Sequence, residues 1–204
     1  MFCFPSNDKD LRKLWLGNFD DCNNSWDFSG SPYPTRVGAK FGNALAFDGS
    51  SSLYTSLNLN SDNLAIYFFF CPFSLANSTL LSISGATSLS AKIANSKLVV
   101  SHNGTNYTSG TLALSSSYFL AILFKYSTYQ THTYRDFEVY LNGTQVGSSG
   151  YFSSFNGACN ITLGNGFTGA VSEFCIQQNS SSYSVPSSTF SKNSNTKSLL
   201  HFAY

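Results

Sequence analysis

Acidic and aromatic side chains are the chemistry this chain offers, and both are unevenly spread. Asp and Glu number only 10 in 204 residues, so a carboxylate pair has few places to form. Asp136 and Glu138 alternate along one run, so their carboxyls can share a sheet face. A retaining glycosidase needs two carboxyls about 5–5.5 Å apart. This pair stands beside Arg135, however, and reads more simply as an exposed, salt-bridged strand. His102, His132 and His201 are scattered, and none stands in a Ser or Cys nucleophile arrangement. No residue is assigned a catalytic role, and the expectation is a protein that is not an enzyme. The tyrosines are more promising. Tyr107, Tyr126, Tyr129, Tyr134 and Tyr151 fall in segments that read as loops, and "KYSTYQTHTYRD" reads as a long polar insertion before a hairpin strand. Exposed Tyr rings can stack on sugars. The same rings can dock on a neighbouring subunit, so glycan and subunit are both open at this point.

Bulk composition narrows the partners. The formal net charge is +1 with no basic stripe, which excludes the electrostatics of nucleic-acid binding. Only 10% of residues are charged, so solubility must come from hydroxyls and amides. Such a surface suits an assembly or neutral polar ligands. The five cysteines, Cys3, Cys22, Cys71, Cys159 and Cys175, are odd in number and lack CxxC spacing. That argues against a zinc site and a full disulfide framework, and for small buried side chains in strands. Met1 to Pro5 is followed at once by Asp8, Lys9, Asp10, Arg12 and Lys13, without the apolar run of a secretory signal. The most apolar stretch, Leu64 to Leu75, is too short for a membrane helix, so no membrane insertion is expected.

The elements that must position these residues are strands. High aromatic content with abundant Ser, Thr and Asn favours short strands over charged helices. "SLYTSLNLN" alternates Leu57 and Leu59 with polar neighbours. "NLAIYFFFCPFS" reads as a buried strand ended by Pro72. "SLSAKIANSKLVVSHNG" breaks at a turn on Asn95-Ser96. "DFEVYLNGTQVGSS" is the clearest hairpin, because Asn142-Gly143 tolerates positive φ at both turn positions. "NITLGNGFTGAVSEFCIQQ" gives two strands about a Gly-rich corner, "SSSYSVPSSTFSKNSNTK" a low-complexity loop, and "SLLHFAY" a last strand. No stretch holds helical periodicity for three turns. About a dozen strands at this spacing predict an all-β sandwich or jelly roll.

The ordered set of motifs resembles a known family. "GAKFGNALAFDGSSSLY" is similar to the "GKFG-x-AL-x-FDG-x-x-x-Y" signature of laminin-G-like, pentraxin-like domains of the concanavalin A-like lectin/glucanase superfamily. "NLAIYFFFCPFS" stands where that family has "DFTI-x-FWV", with Phe69 in the tryptophan's place. "FEVYLNGTQVGSS" resembles "LYVNG-x-x-V". "ITLGNGFTGAVSEFCI" resembles "I-x-IG-x-x-FxGYIDEVRI", with Ser172 replacing the aspartate and Glu173 retained. "YSVPSSTF" with "NTKSLLHF" resembles the tail "YTxPxxPF…T-x-LLHF", and "KLWLGNFDD" resembles "LLLHFDG". The resemblance spans nearly the whole chain.

The resemblance implies a jelly-roll sandwich of two antiparallel sheets over residues 14–204, preceded by an arm at 1–13 that can anchor an assembly. Within the signature, Gly42 and Gly49 would allow tight turns, Phe41 and Phe47 fill the core, and Asp48 bond turn amides. The E-x-D-x-x-E motif of glucanases with this fold is absent. Relatives that bind calcium imply a candidate cage of Asp20, Asp21, Asn23, Asp27 and Asp48, oxygen donors that calcium takes in sets of about six to eight. Domains framed by "LLHF" are common in phage tail and fibre proteins. The implied protein is therefore a virion component, a capsid decoration or tail fibre part, made in the host cytoplasm. Its partners would be other virion proteins, copies of itself in a symmetric assembly, and a cell-surface glycan. A free carbohydrate-binding adhesin is the alternative, and a glycan-cleaving enzyme stands behind both.

Overall fold

The computed structural model describes residues 26–29, 35–39, 42–130, 132–180 and 183–201. The arm at 1–13, the strand expected at Leu14–Leu16, and Phe41 lie outside them. Numbered in chain order, the described strands form two antiparallel sheets. The first has seven strands in the order β1 (Asp27–Ser29), β4 (Ser52–Ser61), β13 (Phe155–Leu163), β6 (Ser78–Ser84), β7 (Ser88–Ala94), β8 (Lys97–His102) and β9 (Thr105–Thr111). The second has eight. It runs β12 (Thr144–Ser149), β11 (His132–Leu141), β10 (Tyr118–Tyr129), β5 (Leu64–Pro72), β14 (Thr168–Gln178), β3 (Gly42–Asp48) and β2 (Thr35–Ala39). Its eighth strand, β15 (Thr196–Leu200), pairs the C-terminal half of β14. The fold is the expected concanavalin A-like jelly-roll sandwich, with fifteen strands among the described residues rather than a dozen.

The core follows from alternation. β4 buries Leu53, Thr55, Leu57 and Leu59 and turns the alternate residues Tyr54, Ser56 and Asn58 to water. β5 is buried from Leu64 to Phe70, on both faces. Leu64, Ile66, Phe68 and Phe70 join the core between the sheets. Ala65, Tyr67 and Phe69 point outward into a second apolar cluster with Phe119, Ala121, Leu123, Cys175 and Leu199. Each large side chain so buried contributes about 1.5–3 kcal/mol. The side chains of Cys159 and Cys175 are buried as well, as small strand residues.

The outer cluster needs a cover, and the segment between β14 and β15 supplies it. Tyr183 stacks on Tyr140 with ring centres 4.4 Å apart, and Phe190 lies 5.7 Å from Tyr67. The low-complexity loop thus becomes a strap across the outer face of the eight-stranded sheet. The turns behave as their residues demand. Asn142 and Gly143 adopt φ of 50° and 88° between β11 and β12, and the Asn142 side chain accepts the Phe119 amide at 2.7 Å. Gly49 takes φ 92°. Asp48 beside it accepts the Ser50 amide at 3.0 Å, the turn role expected of it.

The stretch "KYSTYQTHTYRD" is the clearest departure from the sequence reading. It is not an inserted loop. β10 and β11 stay paired from Leu120↔Leu141 to Tyr129↔His132, with Gln130 at φ 54° in the turn. β5 accompanies β10 only as far as Phe124↔Leu64. The hairpin therefore runs on past β5 as a two-stranded tip. Phe124↔Phe137 is its last fully buried inward pair, so beyond it the sequence lacks the apolar alternation that marks a strand.

Candidate functional site

The tip is built from its base outward. Asn63 accepts the Tyr126 amide with its side chain at 2.9 Å, fixing β10 where β5 ends. Inward residues on the tip are Tyr126 and Arg135, which are register partners. The Arg135 guanidinium lies 5.5 Å from the centre of the Tyr126 ring and 5.8 Å from that of Phe152. One of its Nη atoms donates to the Phe152 carbonyl at 3.4 Å, tying the tip to the loop after β12. Tyr134 precedes Arg135 and is 48% exposed; Tyr151 precedes Phe152 and is 66% exposed. Tyr151 is thus an accessible ring next in the chain to the residue whose carbonyl holds Arg135, whereas Tyr134 projects from the opposite face of β11. In that loop the Ser149 hydroxyl donates to the Tyr151 carbonyl at 3.0 Å, which shapes the turn that presents the ring.

The five candidate tyrosines therefore separate. Tyr134 and Tyr151 are accessible. Tyr126 is half-buried under Arg135. Tyr129 closes the hairpin opposite His132. Tyr107 is a correction to the loop reading. It sits in β9, only 9% exposed, with its ring 5.0 Å from that of Phe137. Gly147 of β12 makes room for it, since a Cβ there would come within 2.5 Å of the ring. Tyr107 therefore bridges the edges of the two sheets. Its strand, "TNYTSGT", is polar except at that position, which is why it reads as loop.

The carboxylates are otherwise engaged. Glu138 bonds Lys125 across the hairpin at 2.6 Å and accepts the Tyr140 hydroxyl at 2.8 Å. The expected salt-bridged strand is real, but its cation is Lys125 rather than Arg135. The Tyr140 phenol is pushed up to about 12, by burial first and by Glu138 next. Glu173 is wholly buried at a bulge in β14, with φ 52°. It accepts the Phe190 amide at 3.0 Å and meets His201 Nδ1 at 2.9 Å.

Of the calcium candidates, Asp27 and Asp48 fall among the described residues. Asp20, Asp21 and Asn23 lie outside the described residues. Asp27 sits on β1 opposite Tyr54, whose phenol is raised by burial first and by Asp27 next. Asp48 sits on β3 in the other sheet. Its oxygens accept the Ser50 hydroxyl at 2.9 Å and the Ser51 hydroxyl at 3.1 Å, and the Ser50 amide bond leads the causes that hold its carboxyl below the usual range. Among the described residues no three His, Cys, Asp or Glu converge as metal ligands do. Asp27 and Asp48 thus stand on strands of different sheets.

A second concavity lies under the strap. It is a cleft of about 350 Å³ lined by Tyr67, Gln177 and residues 184–191. Half of its lining is Ser and Thr, and its two aromatic rings, Tyr67 and Phe190, pack on each other in the outer cluster, which makes it the weaker platform for a sugar.

The chain matches no family model and no curated protein sequence. Its fold recurs among solved structures. Domain 4 of AbnA, a GH43 extracellular arabinanase from Geobacillus stearothermophilus solved in complex with arabinotriose, is similar with a TM-score of 0.57 at 14% identity, over 87% of this chain and 85% of that one. The enzymatically active domain of tailspike protein 2 from bacteriophage CBA120 gives 0.53 at 17% identity, over 76% of this chain and 29% of that one. A sialidase gives 0.50 at 10% identity, over 78% of this chain and 17% of that one. This chain thus spans under a third of the tailspike and sialidase chains. At such identities the likeness is one of fold.

Proposed function

We propose that this chain is a non-enzymatic attachment module that binds glycans through the β10–β11 tip and is displayed on a phage virion, as a capsid decoration or a tail fibre part. The observation that carries the reading is the pair of exposed rings, Tyr134 on the tip and Tyr151 on the loop after β12, two segments that Arg135 ties together. Sugar rings present C–H faces that stack on such phenols, and hydroxyls that bond their oxygens. Fold likeness to a domain solved with arabinotriose and to a tailspike domain supports both halves of the reading. The carboxylates support binding without turnover. Glu138 is held by Lys125 and Tyr140, and Glu173 is closed to solvent. A shallow, exposed site gives weak single contacts. Many copies on one particle, or in a homo-oligomer, would convert them into avidity.

The test is a glycan array probed with the wild-type chain and with the Tyr134→Ala/Tyr151→Ala double variant. The reading expects saturable binding that the double variant loses, with no shortened sugar released. Binding that survives in the double variant, or an empty array, would contradict it. Release of shortened product would instead favour the enzyme.

A further inference from the structure

Arg135 bears on the class of glycan, an inference that rests on the reading above. A guanidinium has five N–H donors in a planar fork. The contacts of Arg135 are two aromatic faces and one long bond to the Phe152 carbonyl at 3.4 Å. No carboxylate among the described residues bonds it. Lys125, the other cation of this hairpin, is already paired with Glu138 at 2.6 Å. Asp136, next in the chain, falls on the opposite face of the strand, in register with Lys125. The rings of Tyr126 and Phe152 pack against the guanidinium, so little freedom is lost when it takes a ligand. An oriented, half-buried fork of this kind matches a planar carboxylate or a sulfate through two parallel hydrogen bonds.

We propose that the β10–β11 tip takes an acidic saccharide, its carboxylate or sulfate on Arg135 and its ring against Tyr151. Composition by itself points to neutral ligands, because charged residues are few. One cation held in place without an acidic partner among the described residues outweighs that average.

The experiment is calorimetric titration of the full chain with three probes: trigalacturonate, its methyl ester, and a sulfated heparin disaccharide. Charge-assisted bonds of this type correspond to about tenfold or more in affinity. At least one acidic probe is expected to bind about tenfold more tightly than the ester. The acidic probe that does so identifies uronate or sulfate as the group read. Arg135→Gln should remove the difference. Arg135→Lys keeps the charge and the apolar stem, serves as the folded control, and should lose most of the preference because it lacks the fork. Equal binding of acid and ester, a preference that survives both variants, or an array that reports neutral glycans alone would overturn the inference and leave the glycan reading standing. No binding to any probe or to the array would overturn both.

Discussion

Glu173 and His201 meet at 2.9 Å although 28 residues separate them, and the carboxylate of the pair is sealed from solvent. The β14–β15 register explains the meeting, since Phe174 pairs with Leu200 and the next residue on each strand is one of the two. The same carboxylate accepts the Phe190 amide, so one buried group ties β14, the strap and the end of β15 together. A buried pair of this kind fixes geometry more than it adds net stability, but removing one partner strands the other. Glu173→Ala is expected to lower unfolding stability by about 2 kcal/mol, in line with a lost charge-assisted bond. It should also open the strap at 183–195 to proteolysis. Urea unfolding and limited proteolysis check both effects.

The backbone at Glu173 yields a second, separable prediction. Its φ of 52° is one that L side chains adopt with strain. Glu173→Gly loses the same hydrogen bonds as Glu173→Ala but relaxes the backbone. It should therefore be the more stable of the two, by about 1 kcal/mol. Equal stabilities would remove strain from the account of the bulge.

His102 makes stability depend on pH. It is 4% exposed, and its ring centre lies 5.1 Å from those of both Phe124 and Phe137. Burial pushes its pKa below 6.5, against an opposing bond to the Ser88 carbonyl. The unfolded chain therefore takes up the proton first as pH falls. The stability is complete above about pH 6.5 and is lost as pH drops through the folded value. Melting temperature measured between about pH 8 and pH 5 should fall at the acid end, and His102→Phe should flatten that part of the curve.

Deletion of residues 1–13 should release the domain from its assembly while leaving the melting temperature of the sandwich unchanged. Light scattering of the full and truncated chains reads the first effect and calorimetry the second. A truncated protein that assembles normally would contradict an anchoring arm.

Much of the sandwich was legible because its strands alternate cleanly. Asn142-Gly143, Asn95-Ser96 and Pro72 marked boundaries where their backbone preferences left little choice. The tip was not legible as strand, because pairing past the core leaves no apolar face. Tyr134 and Tyr151 stood out as aromatic residues in polar runs, yet nothing local separates them from Tyr107, which the Gly147 gap buries. Arg135 was read as half of a salt bridge, since Asp136 and Glu138 follow it. Only the pairing of β10 with β11 assigns Glu138 to Lys125 and leaves Arg135 to the rings. Glu173 and His201 each stand in a recognisable motif, but their pairing is a property of strand register, which a single run of residues does not carry.

The most direct measurement for the proposed glycan site at the tip is hydrogen–deuterium exchange with and without a saturating glycan ligand. Protection is expected in peptides covering 126–135 and 149–152, the two segments that Arg135 joins. Protection confined to residues 184–191, around the cleft under the strap, would contradict the account.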